Sequence, residues 1–182
     1  MEDFIQIRSA NEQDAPAIAR VHVDSWRQTY AGIVAAEFLV SLSYERGKAM
    51  WRQTLTSPIN LTLVAESRQA GIVGFVSAGA ERSGDPFYTS EVYSIYLLKD
   101  HWRQGIGRRL FCAAARGLHQ SGHSALLVWV LKENPARRFY EALGGTFVRE
   151  QGIQIGEQQL IEVAYGWRDT ARLISGQESP TK

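Results

Sequence analysis

The middle of the chain, where a strand-like run is followed by a glycine turn and a helix, decides the fold. Residues 91–108 read Glu-Val-Tyr-Ser-Ile-Tyr-Leu-Leu-Lys-Asp-His-Trp-Arg-Gln-Gly-Ile-Gly-Arg. The β-branched and aromatic residues of 91–98 predict a strand, and the residues after the glycines predict a helix over about 106–120. The almost continuous apolar run at 125–131 is typical of a strand buried on both faces. This order predicts a parallel strand pair joined by a crossover helix.

The segments on either side of this unit predict further short strands and helices. The predicted strands are 4–8, 61–66, 72–80, 147–154 and 159–167, and the predicted helices are one that starts near a cap-like Asn11, one over about 35–55 and one over 135–143. We therefore predict a single α/β (α+β) domain over residues 1–170. A polar tail over 171–182 follows it, and we expect the chain to fray from Arg168 onward.

The composition excludes several classes of protein. The chain has 182 residues, 45% of them apolar and 21% charged, with a formal net charge of +1, so no overall field favours nucleic acid or an anionic membrane. No apolar run approaches the ~20 residues of a membrane helix, and the N-terminus lacks the pattern of a secretory signal. Cys112 is the only cysteine, which excludes an intrachain disulfide. We therefore expect a cytoplasmic protein without a nucleic-acid or membrane partner.

The turn that precedes the 106–120 helix is a candidate anion site. Glycines let its backbone bend tightly and approach a ligand, and the free N–H groups of the first helical turn suit a diphosphate. Arg103 and Arg108 add positive charge, although the same residues could form a tight turn that binds nothing. A P-loop needs Lys and Ser or Thr where Arg108 and Arg109 stand, and a dinucleotide fingerprint needs a third glycine where Leu110 stands. With these two motifs excluded, the turn is a candidate site for another kind of phosphorylated cofactor.

Several blocks in order resemble the GNAT superfamily of N-acetyltransferases. The stretch 102–107 resembles the family's Gln/Arg-x-x-Gly-x-Gly/Ala signature, 91–98 resembles its cofactor strand, and 129–145 resembles its second half. The resemblance covers about residues 5–167. It implies a GNAT-like domain with a central mixed, mostly antiparallel sheet of about seven strands, four flanking helices and one splayed parallel strand pair.

The resemblance also implies acetyl-CoA as co-substrate and a set of residues that bind it. The strand segment of Ile95, Tyr96 and Leu97 would pair with the pantetheine arm through main-chain groups. Asn134 would hydrogen-bond the arm, and the diphosphate would be held by the amides of Arg103, Gln104, Gly105, Ile106, Gly107 and Arg108.

Two features of the chain depart from the family pattern. Trp102 stands where the family has Gln or Arg, which removes one side-chain donor. The six residues from Asn134 to Tyr140 are one fewer than is common, which a loop before the helix could absorb.

Amide formation from a thioester needs two proton transfers: the leaving thiolate gains a proton, and the attacking amine loses one. Tyr140 suits the role of acid, since a phenol can protonate the thiolate and the resemblance places the general acid there. Glu91 suits the role of base, accepting the amine's proton through a water, with Glu66, His101 and Asp24 as alternative bases. A tyrosine of the core and a carboxylate at a strand end are the structural alternatives for Tyr140 and Glu91.

The remaining reactive side chains favour direct transfer. Cys112 lies in an apolar helical stretch, which predicts a core residue and no covalent acetyl-enzyme. The four histidines show no ligand spacing with acidic residues or the cysteine, so we expect no metal. Trp26, Tyr30 and Tyr88 are candidates for binding the acceptor.

We therefore predict an acetyl-CoA-dependent N-acetyltransferase that acts on a primary amine, and a homodimer is compatible with the sequence. A small-molecule acceptor is favoured, and the N-terminus or a lysine of a protein is the variant. A non-catalytic acetyl-CoA sensor and a purely structural domain are the alternatives from other classes.

Overall fold

The computed structural model describes residues 4–175, which form one open sheet with helices on both faces. The seven strands are β1 (Ile5–Ser9), β2 (Leu61–Ser67), β3 (Gly71–Ala80), β4 (Ser90–Leu97), β5 (Leu126–Leu131), β6 (Thr146–Ile155) and β7 (Gln158–Trp167). They lie in the order β1-β2-β3-β4-β5-β7-β6, and β4–β5 is the parallel pair among antiparallel neighbours. The predicted mixed, mostly antiparallel sheet is confirmed.

The described residues contain more helices than the four that were predicted. They are α1 (Ala15–Thr29), α2 (Ala36–Ser41), α3 (Tyr44–Leu55), α4 (Ile106–Gln120), α5 (Arg137–Ala142) and α6 (Ala171–Ser175). The single helix predicted over 35–55 is wrong because the backbone is extended at Leu42, and the Ser43 hydroxyl then accepts a hydrogen bond from the Arg46 amide to cap α3. Asn11 is a cap as predicted, but it caps the 3₁₀ turn Glu12–Asp14 that precedes α1.

The two faces of the sheet are covered by different helices. On one face α4 buries Leu110 and Phe111 against β1 to β4. On the other face α1 and α3 bury Ile18 and Trp51 against Phe75 of β3. Each helix presents an apolar stripe to the sheet, so the sheet lies between two hydrophobic layers.

The parallel pair separates after its first three residues. Pairing runs from Ser90 and Leu126 to Val92 and Val128 and then stops, although β4 continues to Leu97. The facing edges of 93–97 and 129–131 are therefore unpaired with each other, which opens a cleft in the sheet. This is the splay that the family resemblance implied.

The end of the described chain does not fray as predicted. The Thr170 amide donates to the Ser124 carbonyl at 2.9 Å, and Leu173 of α6 is buried in the core beside α4. The prediction of fraying from Arg168 is therefore wrong as far as α6, because Leu173 packs into the hydrophobic core. Residues 176–182 of the predicted tail lie outside the described residues.

Candidate active site

The turn between β4 and α4 presents a row of unpaired amides. Arg109 is the first residue of the helix whose N–H is engaged, and it donates to the Gly105 carbonyl at 3.0 Å. Within residues 4–175 no acceptor takes the N–H groups of Arg103, Gln104, Gly105, Ile106, Gly107 and Arg108. Six consecutive free donors at the N-terminus of a fifteen-residue helix form a site for a multivalent anion.

The backbone of this turn passes twice through the left-handed region. Arg103 has a φ of 61° and Gly105 a φ of 76°, both in the left-handed region, which is unfavourable for a residue with a side chain such as Arg103. A Cβ on Gly107 would meet only the Phe139 ring, at 3.6 Å, so the protein itself has room for a side chain there. The missing side chain at Gly107 therefore leaves space for a ligand, and the residues of the turn fit a diphosphate.

The β4 edge that faces the cleft offers main-chain groups. The Leu98 amide donates to Val73 of β3, so alternation along the strand directs the groups of Ile95 and Leu97 away from β3 and toward the opening. The side chain of Tyr96 points instead to the α1 face, where it packs near Phe75. The indole N–H of Trp102 donates to the Leu97 carbonyl at 2.7 Å, so one of these groups already has a partner.

Tyr140 lies on α5 with its ring in the core and its hydroxyl free. The residue is 6% exposed, its ring packs near Phe111 and Phe139, and its hydroxyl makes no hydrogen bond within the described part of the chain. Burial, and to a lesser extent the phenol of Tyr30, raises the pKa of Tyr140. Tyr140 is therefore a neutral donor at physiological pH.

Asn134 lies in the loop before α5, which absorbs the short spacing to Tyr140. Its Oδ1 accepts from the Ala136 amide at 2.9 Å, and its own amide donates to the Leu131 carbonyl. The side chain is buried next to the Tyr30 phenol. Because its Oδ1 is engaged, the Nδ2 group of Asn134, which also interacts with the Tyr30 phenol, is what remains for a ligand.

Glu91 is buried and ion-paired. Its two carboxylate oxygens accept from Arg82, Oε1 from Nη2 at 2.5 Å and Oε2 from Nε at 3.2 Å, and the Arg82 guanidinium covers the Tyr93 ring at 4.1 Å. The residue lies one position before Val92, the last residue of β4 that pairs with β5, and its charge is balanced by Arg82.

The alternative bases have other partners or lie elsewhere. Glu66 pairs with Arg8 near the β1 edge of the sheet, and Asp24 accepts from the Tyr44 hydroxyl at 2.6 Å. His101 ends the 3₁₀ turn Lys99–His101, which leads toward the anion turn.

Two of the three predicted acceptor residues come together. Trp26 and Tyr30 have ring centroids 4.7 Å apart, and the Tyr30 hydroxyl lies 3.2 Å from that of Tyr96. The Trp26 indole N–H lies near the Tyr96 hydroxyl, yet it is buried without a partner at hydrogen-bond geometry within residues 4–175. Tyr88 is not part of this group, since it packs against Leu127 and Ala164 in a separate cluster.

Three residues near Tyr30, on the α1 face of the sheet, were missed by sequence reasoning. His22 stacks on Tyr96 with centroids 5.2 Å apart, and burial lowers its pKa to about 4. For Tyr96 the sequence indicated only the main-chain groups of its strand, whereas its side chain contacts the Tyr30 hydroxyl. Glu162 is a half-buried carboxylate on β7, and the only signal for it was an acidic residue in an otherwise apolar strand.

Cys112 is inert in this environment. It is buried in α4, and burial raises the pKa of its thiol, with Arg108 acting weakly in the opposite direction. A neutral buried thiol is a poor nucleophile. Among the described residues there is also no group of three or more His, Cys, Asp or Glu side chains placed to hold a metal.

The sequence of the chain matches known proteins along most of its length. Residues 74–152 match the model of the FR47-like protein family. The chain is 38% identical over 170 residues to the uncharacterized N-acetyltransferase YuaI of Bacillus subtilis, covering 93% of this chain and 96% of that protein. The chain belongs to the GNAT superfamily of N-acetyltransferases. As such it is an acyltransferase with acetyl-CoA as its co-substrate.

Solved structures share the fold of this GNAT enzyme. PaiA N-acetyltransferase of Thermoplasma acidophilum in complex with coenzyme A superposes with a TM-score of 0.68 at 21% identity, covering 87% of this chain and 98% of that one. The putative acetyltransferase yncA of Salmonella typhimurium with acetyl-CoA gives a TM-score of 0.68 at 22% identity, covering 98% of both chains. A spermidine N(1)-acetyltransferase of Thermoplasma acidophilum is 21% identical over 155 residues, 83% of this chain and 89% of that protein. Within residues 4–175, no helix of the GNAT enzyme has the length and apolarity to cross a membrane.

Proposed function

We propose that the enzyme transfers the acetyl group directly from acetyl-CoA to a primary amine of a small molecule, with both substrates bound in the cleft between β4 and β5. The observation that carries this proposal is the row of six free amides at 103–108. These residues follow β4, the strand whose edge opens onto the cleft. A diphosphate on these amides and an extended arm along β4 direct a thioester toward α5, where Tyr140 lies.

Tyr140 supplies the proton that the leaving thiolate needs. Its hydroxyl has no competing hydrogen bond within residues 4–175, and its raised pKa keeps the phenol protonated until a strong acceptor forms beside it. The amine must in turn lose a proton to a carboxylate of the cleft. Glu91 is the candidate that the sequence predicts, acting through a water, although its carboxylate is already engaged in an ion pair with Arg82.

A connection beside Tyr30 supports a small molecule over a protein as the acceptor. The segment 30–35 after α1 is tied to the start of β7 by Gln158, whose Oε1 accepts from the Ala35 amide at 2.9 Å and whose Nε2 donates to the Ile33 carbonyl at 3.2 Å. These hydrogen bonds restrict the space beside Tyr30 that a polypeptide would need. The rings of Trp26, Tyr30 and Tyr96 suit an amine with an apolar body.

The absence of an activated cysteine supports direct transfer in a ternary complex. The buried, neutral thiol of Cys112 fits the reducing cytoplasm that the sequence predicts, and that location stays a prediction.

A screen of primary amines tests the proposal. Purified enzyme is incubated with acetyl-CoA and single amines, including spermidine, 1,4-diaminobutane, butylamine and tyramine, and free CoA is detected with a thiol reagent. We expect amine-dependent CoA release that falls strongly in Tyr140→Phe. If none of these amines raised CoA release above the uncatalysed rate while added peptides were acetylated, a protein acceptor would be favoured instead.

A further inference from the structure

The strand register places Glu162 on the face of the sheet that packs against Tyr30. It pairs with Leu131 of β5, the last residue of the strand that borders the cleft. Leu131 packs with Tyr30, and Leu160, two residues before Glu162 on β7, packs in the same cluster. Because side chains two apart on a strand share a face and paired residues do too, Glu162 points to the same side as Tyr30.

The carboxylate of Glu162 is only partly satisfied. Its Oε1 accepts from Gln151 Nε2 at 2.8 Å, and no Lys, Arg or His of residues 4–175 forms an ion pair with it. Glu91, by contrast, has both oxygens on the guanidinium of Arg82. A half-buried carboxylate with a neutral amide as its one donor has unused capacity for a cation.

Tyr30 connects Glu162 with the proposed acid. The Tyr30 phenol interacts electrostatically with both Glu162 and Tyr140, and its hydroxyl contacts that of Tyr96. An amine that lies against Tyr30 would therefore be near both the carboxylate and the phenol of Tyr140. An acid and a base of one reaction must hold opposite protonation states when it begins, which two groups in different environments allow.

We propose that Glu162, and not Glu91, binds the ammonium group of the acceptor and takes its proton, so that the acceptor enters as a cationic primary amine. This inference rests on the acetyl transfer proposed above. Glu91 keeps a structural role, since it holds Arg82 against Tyr93 at the entrance of the splayed strands.

The protons and bonds of the step balance. One ammonium proton passes to the Glu162 carboxylate, and the neutral nitrogen forms a bond to the acetyl carbon while the carbon–sulfur bond breaks. The thiolate takes the proton of the Tyr140 hydroxyl, and the second nitrogen proton restores the phenol. Glu162 then releases its proton to water, so each turnover yields one amide, one thiol and one proton.

Burial and neighbouring charges act together on the Glu162 carboxylate. Burial raises its pKa first, Glu91 raises it further, and Gln151 and Arg82 lower it. Tyr30 also faces it and stays neutral because burial raises its pKa. A carboxylate with a raised pKa accepts a proton more readily than an ordinary carboxylate does.

Kinetics of matched variants test the proposal. With the best amine of the screen, Glu162→Gln should lower kcat about 100-fold, the usual size of a general-base contribution, and leave the acetyl-CoA-induced rise in Tm unchanged. The wild-type profile of kcat/KM against pH should have an acidic limb, where Glu162 becomes protonated, that is absent in Glu162→Gln and present in Glu162→Asp. Glu150→Gln, which removes an exposed carboxylate of the same hairpin, should change neither kcat nor the acidic limb of the pH profile.

A second readout does not depend on turnover. The side-chain carboxyl carbon of Glu162, assigned by comparison with Glu162→Gln in enzyme with ¹³C-labelled glutamate, should shift when 1,4-diaminobutane is added to the CoA complex. A wild-type-like kcat and acidic limb in Glu162→Gln, or a resonance unmoved by the diamine, would overturn the role of Glu162 while leaving the acetyl transfer intact. Loss of the acetyl-CoA effect on the wild-type Tm would instead contradict the proposed function.

Discussion

The indole N–H of Trp102 donates a 2.7 Å hydrogen bond to the carbonyl oxygen of Leu97, across the start of the turn that leads into α4. Trp102 occupies the position where the family resemblance leads one to expect Gln or Arg, and Leu97 belongs to the strand edge that faces the cleft. The indole therefore engages an acceptor that an extended cofactor arm would otherwise use.

Removing this hydrogen bond should strengthen cofactor binding. In Trp102→Phe the Leu97 carbonyl becomes available without competition, and one released hydrogen bond corresponds to about 1 kcal/mol, or roughly fivefold in the dissociation constant of acetyl-CoA. Isothermal titration calorimetry measures the change. Weaker binding by the variant would show that the indole holds the arm and does not compete with it.

Gly107 should be needed for the ligand and not for the fold. A methyl group there meets only the Phe139 ring at 3.6 Å, so Gly107→Ala should keep the Tm of the free enzyme within a few degrees but weaken the rise in Tm that acetyl-CoA causes. Gly107→Glu, which adds bulk and negative charge, should abolish the rise.

Gly152→Ala is the matched control for this substitution. A Cβ at this exposed β6 position has its nearest neighbour at 4.0 Å, so the variant should retain the full effect of acetyl-CoA. An undiminished response in Gly107→Glu would remove the turn from the binding site.

Tyr140→Phe should separate catalysis from binding. The lost hydroxyl has no hydrogen bond within the described residues, so stability and acetyl-CoA affinity should hardly change, while kcat falls about 100-fold because the thiolate loses its proton donor. Steady-state kinetics and calorimetry give both values.

Tyr165→Phe provides the comparison with a neighbouring ring. The Tyr165 hydroxyl donates to Glu141 at 2.5 Å and accepts from Arg137, both on α5, so its loss should lower Tm more and kcat less than the change at Tyr140. The reverse ranking of the two kcat values would make Tyr140 a packing residue.

His22 should make the enzyme less stable in mild acid. Burial lowers its pKa from 6.5 to about 4, so the unfolded chain binds a proton between these values that the folded chain does not. The free energy of unfolding should therefore fall as pH decreases from about 6.5 to about 4, by a contribution of about 3 kcal/mol. Urea unfolding of the wild type and of His22→Leu across this range measures it, and equal pH slopes for both proteins would refute the assignment.

The parts of the fold with strong local signals could be predicted from the sequence. The α4 helix was predicted at its observed bounds because a glycine turn starts it and one apolar face continues through it. The break between α2 and α3 was missed because neither Gly nor Pro marks it, although Ser43 carried the cap signal. Leu173 was assigned to a polar tail because its burial depends on contacts with α4, which no local pattern reveals.

The contrast between local signals and long-range contacts also applies to the candidate site, where the anion turn was predictable and the surroundings of Tyr30 were not. The anion turn is formed by consecutive residues, so the sequence indicated it directly. The proposed acceptor side joins Tyr30 just after α1, Tyr96 of β4 and Glu162 of β7, which only the tertiary fold brings together. Tyr88 shows the converse error, since proximity to β4 in the sequence did not bring it to Tyr30.

The most direct test of the central claim is the ¹⁵N–¹H spectrum of the enzyme during titration with acetyl-CoA and, separately, with acetylpantetheine, which lacks the diphosphate. The account predicts large downfield shifts of the amide protons of residues 103–108 with acetyl-CoA and small shifts with acetylpantetheine. Amides of this turn that stay unmoved while acetyl-CoA saturates the enzyme would contradict it.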